Sequence, residues 1–93
     1  MTGPGREPAA EPRVTLFTRP GCHLCDDART IVAAVCRELG EAFLEVSIAG
    51  DPELEQRFGE EIPVTFVDGR QHDFWRVDPG RLRRALSDVP GGR

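Results

Sequence analysis

The chain has 93 residues, with 12 basic against 16 acidic side chains and a formal net charge of −4. That length holds at most one small domain and excludes a large multidomain enzyme. Every basic residue is Arg, and the acidic balance argues against nonspecific nucleic-acid binding, which needs a basic face to neutralise phosphates. No apolar run approaches the roughly 20 residues needed to cross a bilayer. The first residues also lack the apolar stretch of a signal peptide, so a soluble, cytoplasmic protein without a membrane partner is expected.

The opening MTGPGREPAAEP offers nothing larger than Ala to bury after its Met, too little to offset the entropy of ordering it. Residues 1–12 therefore read as a disordered tail, residues 90–93 as a second short tail, and residues 13–89 as the folded part. RVTLFT, rich in β-branched and aromatic residues and ended by Arg19-Pro20-Gly21, predicts a buried strand and a turn. A helix should follow at once, because Ala28, Ile31, Val32, Val35, Cys36 and Leu39 recur at three- and four-residue steps before Gly40.

In FLEVSI, Leu44, Val46 and Ile48 alternate with Glu45 and Ser47, which predicts a second strand with one buried face. Asp51-Pro52 then supplies a helix cap and a first-turn proline, Glu53 and Glu55 suit the positive helix end, and Gly59 closes about two turns. IPVTFV predicts a third strand, Asp68-Gly69 a two-residue hairpin loop, and the stretch from Gln71 to Val77 a fourth strand. Asp78-Pro79 repeats the helix-start chemistry ahead of Leu82, Ala85, Leu86 and Val89. The expected fold is α/β in the order βαβαββα, a mixed four-stranded sheet flanked by three helices, with a right-handed parallel pair first and an antiparallel hairpin last.

Cys22, His23, Leu24 and Cys25 form a C-x-x-C where the first strand meets the first helix. A cysteine at a helix N-terminus faces unpaired backbone N–H groups and the positive end of the helix dipole, both of which favour thiolate over thiol. Cys22 is the candidate nucleophile. Cys25, three residues on, is the candidate resolving thiol, within reach of a disulfide with Cys22. His23 and Arg19 are placed to lower the Cys22 pKa, whereas Asp26 and Asp27 oppose them. The competing readings are half of a zinc site and an inert pair. Zinc needs further ligands, and Cys36 lies about 16 Å along the same helix, where it reads as a small apolar side chain of the buried stripe. His72 reads as a strand histidine rather than a ligand.

The residues VTLFTRPGCHLC, then IPVTF, then the hairpin and last helix, resemble a glutaredoxin-like member of the thioredoxin fold over nearly the whole folded part. The resemblance implies that residues 13–89 are one such domain and that the protein is a thiol-disulfide oxidoreductase. It places Arg19 at the family's basic position before the first cysteine and Ile62-Pro63 at its cis-proline. Pro63 is then expected against Cys22, and the Ile62 backbone is expected to pair with an extended substrate. No metal or organic cofactor is required, and the implied partners are protein or low-molecular-weight disulfides.

The sequence also departs from the family pattern. His23-Leu24 replaces the usual Pro-Tyr, there is no Trp before the motif as thioredoxins have, and VDGRQHDFW lacks the Gly-Gly pair that holds glutathione. The electron donor is accordingly either glutathione or a thioredoxin-reductase-type system. The alternative function is a non-catalytic binding module, holding an iron-sulfur cluster or a protein partner. A monomer is expected. Arg57 is a candidate contact for a substrate carboxylate against a plain surface residue, and Arg81, Arg83 and Arg84 read as a water-facing run. Phe74 and Trp75 are adjacent in a strand, so one of them should point away from the core.

Overall fold

A computed structural model describes residues 12–87. The strands are β1 (Val14–Thr18), β2 (Phe43–Ser47), β3 (Val64–Val67) and β4 (Arg70–Phe74), and the helices are α1 (His23–Leu39), α2 (Pro52–Phe58) and α3 (Pro79–Ser87). They form one four-stranded sheet in the order β2-β1-β3-β4. β1 and β2 are parallel, and the other two pairings are antiparallel. The expectations for residues 1–11, for Val89 and for residues 90–93 lie outside the described residues.

Local chemistry accounts for most of the boundaries. Asp51 caps α2 by accepting from the N–H groups of Glu53 and Leu54, and Asp78 caps α3 through Gly80 and Arg81. α1 stops because Gly40 takes φ 71°, which lets its N–H reach Arg37 and the Glu41 N–H reach the Cys36 carbonyl at 2.8 Å. Asp68 and Gly69 both have positive φ, 53° and 82°, as a two-residue hairpin matched to strand twist requires. Gly59 ends α2 with a right-handed φ of −54°, not the left-handed cap that Gly40 shows.

Two strands differ from expectation. β4 ends at Phe74 instead of continuing to Val77, because Trp75 adopts φ 66°, a conformation that turns the chain out of the ladder. In β2 the expected face is covered at Val46, half-buried, and at Ile48, buried, but not at Leu44, and Phe43 is covered on the other face. The register pairs Phe43 with Val14 and so puts it on the face covered by α1 and α3, where it packs against the core. Leu44 faces the other way on the edge strand and is 51% exposed.

The sheet is covered on both sides. Val14, Leu16 and Val67 meet Val32, Val35 and Cys36 of α1 and Leu82 and Leu86 of α3. On the opposite side Phe58 of α2 stacks on Phe17 at 4.8 Å and meets Phe66 edge-on at 5.7 Å. Cys25, although in the first turn of α1, belongs to this second cluster with Ile48, Phe58, Ile62 and Val64.

One side chain fastens the end of the sheet remote from the cysteines. The Arg13 guanidinium bonds both carboxylate oxygens of Asp68 at 2.9 Å, Glu41 at 3.0 Å and the Leu86 carbonyl at 2.9 Å. It thereby ties β1 to the hairpin turn, the α1–β2 loop and the last turn of α3.

A candidate thiol site at the mouth of the sheet

β1 delivers the chain through Arg19, Pro20 and Gly21 to Cys22, which has extended backbone angles (φ −103°, ψ 113°) and caps α1. Its Sγ accepts the Cys25 backbone N–H at 3.1 Å. The sulfur therefore takes the place that a Ser or Asp oxygen usually fills at a helix start. Both cysteines are free thiols; Cys22 is half-buried, whereas Cys25 is fully buried. Burial pushes the Cys25 thiol up to about 12, helped by its hydrogen bond to Cys22 and the Cys22 charge, and opposed by the Arg19 backbone and the Arg29 cation.

Asp26, expected to oppose a thiolate, is engaged by Arg29 at 2.8 Å. Arg29 also bonds Glu45 of β2 at 2.7 Å, and Glu45 accepts the Thr18 hydroxyl at 3.0 Å, so its carboxyl is held below the ordinary range chiefly by Arg29. This chain of charges locks the first turns of α1 to the sheet. The Arg19 guanidinium donates to the Gly59 carbonyl at 3.3 Å. Arg57 lies over the Phe58 and Phe66 rings at 4.8 and 5.9 Å. His23 is exposed on the first turn.

The Ile62–Pro63 peptide is cis, and both residues are buried. Ile62 shares the apolar cluster of Cys25, against which Cys22 also packs, so the fold gathers Cys22, Cys25 and Ile62 at one place. Cys36 is not among them. It sits in the other cluster, and burial, with the Glu41 charge, pushes its thiol up to about 11. His72 falls at the bulge in β4, where Gln71 pairs with Phe66 and Asp73 with Thr65. Its Nε2 is buried without a hydrogen-bond partner, 3.8 Å from Asp73, and desolvation holds its pKa low. Among the described residues no group of three or more His, Cys, Asp or Glu is arranged to hold a metal ion, and no helix is long and apolar enough to cross a membrane.

Sequence reasoning missed the part played by Trp75. Phe74 and Trp75 do not divide between core and solvent; both are half-exposed and meet edge-on at 5.0 Å. The Trp75 backbone N–H donates to the Pro63 carbonyl at 2.7 Å and its indole N–H to the Glu60 carbonyl at 3.0 Å. The end of β4 is thereby fixed beside the cis-proline turn. The signal in the sequence was two adjacent aromatics close ahead of the helix-start dipeptide Asp78-Pro79.

A mixed sheet in the order β2-β1-β3-β4, with a cysteine pair at the start of the first helix and a cis X–Pro before β3, defines a protein of the thioredoxin fold. The chain belongs to the family described as Glutaredoxin-like domain (DUF836), which its residues 13–87 match. An uncharacterized protein of Mycobacterium tuberculosis is 37% identical over 83 residues, spanning 84% of this chain and 86% of the relative. The X-ray structure of structural-genomics target protein XcR50 from X. campestris is 37% identical with a TM-score of 0.69, covering 83% of this chain and 99% of that one. Fasciola hepatica thioredoxin, at 22% identity and a TM-score of 0.54 over 80% of this chain and 76% of that one, shares the fold.

Proposed function

We propose that the protein is a small thiol-disulfide oxidoreductase with Cys22 as nucleophile and Cys25 as resolving thiol. The observation that carries this reading is the asymmetry of the pair: one sulfur is half-exposed at the helix cap and accepts a backbone N–H at 3.1 Å, while the other is buried directly behind it. The Cys22 thiolate attacks a substrate disulfide. A bond forms between Cys22 and one substrate sulfur, the substrate S–S bond breaks, and the second sulfur leaves as a thiolate that takes up a proton.

The order of events follows from what holds the Cys25 proton. Besides burial, the hydrogen bond to Cys22 and the Cys22 charge keep the thiol protonated. These two lesser causes vanish once Cys22 is bound in a mixed disulfide, which eases deprotonation of Cys25 just when a disulfide at Cys22 is there to attack, while burial, the largest cause, persists. Cys25 then loses its proton and attacks the Cys22 sulfur. The Cys22–Cys25 disulfide forms, and the second substrate thiol departs. Two electrons pass to the substrate, and a thiol donor, either glutathione or a reductase-fed dithiol, returns them.

In this reading the Ile62 backbone beside Pro63 aligns an extended substrate, and Arg19 and His23 adjust the charge around Cys22. No resident metal or organic cofactor takes part. The test is turnover of a glutathione-peptide mixed disulfide with reduced glutathione, beside single-turnover reduction of bis(2-hydroxyethyl) disulfide by the reduced protein alone. Cys22→Ser should abolish both. Cys25→Ser should stall as a mixed disulfide seen by mass, and equal, complete silence of the two variants without a trapped adduct would count against the assigned roles. Reaction in single turnover but not with glutathione would assign the donor to a reductase-fed dithiol.

A further inference from the structure

Cys25 is fully buried among Ile48, Phe58, Ile62 and Val64, none of which can take a proton or balance a charge. The proposed cycle nevertheless requires this thiol to ionise. Charged groups beside it therefore matter, and three of them form one cluster: Asp26, next to Cys25 in sequence, Arg29 of α1 and Glu45 of β2. Resting on the oxidoreductase reading above, we infer that Arg29 is a positioning residue for the resolving step: its guanidinium, clamped between the two carboxylates, favours the Cys25 thiolate that attacks the mixed disulfide at Cys22.

Arg29 follows Cys25 by four residues, so the two share one face of α1, where such Cβ atoms lie about 5–6 Å apart. Helix side chains lean toward the N-terminus, which brings the guanidinium back over the first turn, where it meets Asp26 at 2.8 Å. Its other two nitrogens bond the Glu45 oxygens at 2.8 and 2.7 Å, and Thr18, buried at the end of β1, donates to Glu45 at 3.0 Å. All three nitrogens of the fork are thus held in place. Without the cation, two carboxylates would stand near a thiol that must itself become negative. With it, the Arg29 charge and the Arg19 backbone ease ionisation of Cys25 against burial and Cys22. The neighbours of Cys25 from α2, β3 and the chain after β2 are apolar, the Arg19 guanidinium is bound to the Gly59 carbonyl, and His23 and Asp27 are exposed. Once Cys22 is tied up in a mixed disulfide, Arg29 is the charge left acting on Cys25. The Cys25 proton then passes to solvent, the Cys25–Cys22 bond forms, the bond from Cys22 to the substrate sulfur breaks, and that sulfur leaves as a thiolate.

The test mixes the fully reduced protein with an equimolar amount of 5,5′-dithiobis(2-nitrobenzoate), whose coloured thiolate is released first as Cys22 attacks and again as Cys25 resolves the adduct. Cys25→Ser should show the first release alone. Arg29→Gln should slow the second release at pH 7 by about three- to tenfold and leave the first within about twofold. Glu45→Gln breaks the same tie between α1 and β2 but removes a negative charge, so it should speed the second release by about twofold. A merely structural role for the ion pair would slow that release in both variants. Arg29→Lys keeps the charge while losing the fork geometry, and should hold the second release within about twofold of the parent. Slowing by Glu45→Gln as well as by Arg29→Gln, or no change with Arg29→Gln in a folded protein, would overturn the role of Arg29 and leave the thiol chemistry standing. Absence of the second release from the parent protein itself would remove the resolving role of Cys25, and the inference with it.

Discussion

The two ends of the sheet both carry ion pairs, but only one of them is closed by a side chain. At the end where β1 starts, Arg13 makes charge-assisted bonds to Asp68 and Glu41 and closes on the carbonyls of α3, leaving its side chain only 17% exposed. At the end where β1 finishes, Arg29 also pairs with Asp26 and Glu45 and ties α1 to β2, but around the thiol the half-exposed groups are a sulfur and apolar side chains, held by backbone N–H groups: Cys25 to the Cys22 sulfur, Trp75 to the Pro63 carbonyl. A fold of this size has little stability to spare, because a small domain buries a small fraction of its surface. Closing one end over Arg13 while backbone N–H groups hold the thiol mouth at the other leaves that mouth open for chemistry. The comparison predicts that damage to the closed end appears as lost stability and damage to the open end as lost reactivity.

Arg13→Ala should show the largest effect on stability. It removes several hydrogen bonds to charged or carbonyl acceptors at once, and each charge-assisted bond is worth about 1.5–3 kcal/mol net when well placed. Asp68 and Glu41 can turn to water, so the expected loss is nearer about 2 kcal/mol than the sum. Urea denaturation should register it as a lower midpoint at unchanged slope. The rate at which iodoacetamide alkylates Cys22 in the folded state should stay within about twofold, since the two ends share no partner. A large change in that rate with intact folding would break the division between the ends.

Much of the fold was legible in the sequence because the signals were local. The N-caps Asp51 and Asp78, the stop at Gly40 and the hairpin at Asp68-Gly69 act within a few residues of themselves, and the structure shows each at its expected place. What the sequence did not disclose was whatever depends on partners remote in the chain. Arg13 reads as an unremarkable polar residue ahead of a strand until residues 28, 55 and 73 positions away converge on it. Alternation in FLEVSI named Leu44, Val46 and Ile48; Ile48 is buried and Val46 half-buried, but Leu44 is exposed, and that Phe43 is covered on the other face depends on its pairing with Val14. At the thiol site the C-x-x-C was plain, but the groove that Leu24 and Trp75 line was not, since it joins a helix face to a segment some 50 residues later whose left-handed Trp75 ends the strand early.

Alkaline pH sharpens the comparison, because one buried thiol lies at each level of the molecule. Cys25, behind the open end, is raised to about 12, and Cys36, in the core between α1 and the sheet, to about 11, both from 9.0. Raised folded values mean that the native state keeps protons the unfolded state gives up. Their contribution is therefore complete below about pH 9 and lost as pH climbs through the folded values. Urea midpoints measured with a phosphine reductant should be flat from about pH 7 to 8.5 and fall progressively above pH 9. Cys36→Ala should flatten part of that fall, with Cys25 accounting for the remainder. A midpoint that rises above pH 9 would contradict the burial of both sulfurs.

The smallest expected effect separates exposure from function. Leu44 and Trp75 are equally exposed, at 51% each, yet they occupy different settings. Trp75 lines a groove with Leu24 of the C-x-x-C, whereas Leu44 stands on the edge strand opposite Thr15 and belongs to neither apolar cluster. A single exposed apolar residue is an ordinary feature of protein surfaces. Leu44→Thr introduces a β-branched strand former and should change stability by no more than about 0.5 kcal/mol, with single-turnover reduction of bis(2-hydroxyethyl) disulfide unaltered. If Leu44→Thr slowed that reduction several-fold in a folded protein, the surface used by substrate would extend round the edge strand, and the open end would be larger than the thiol site.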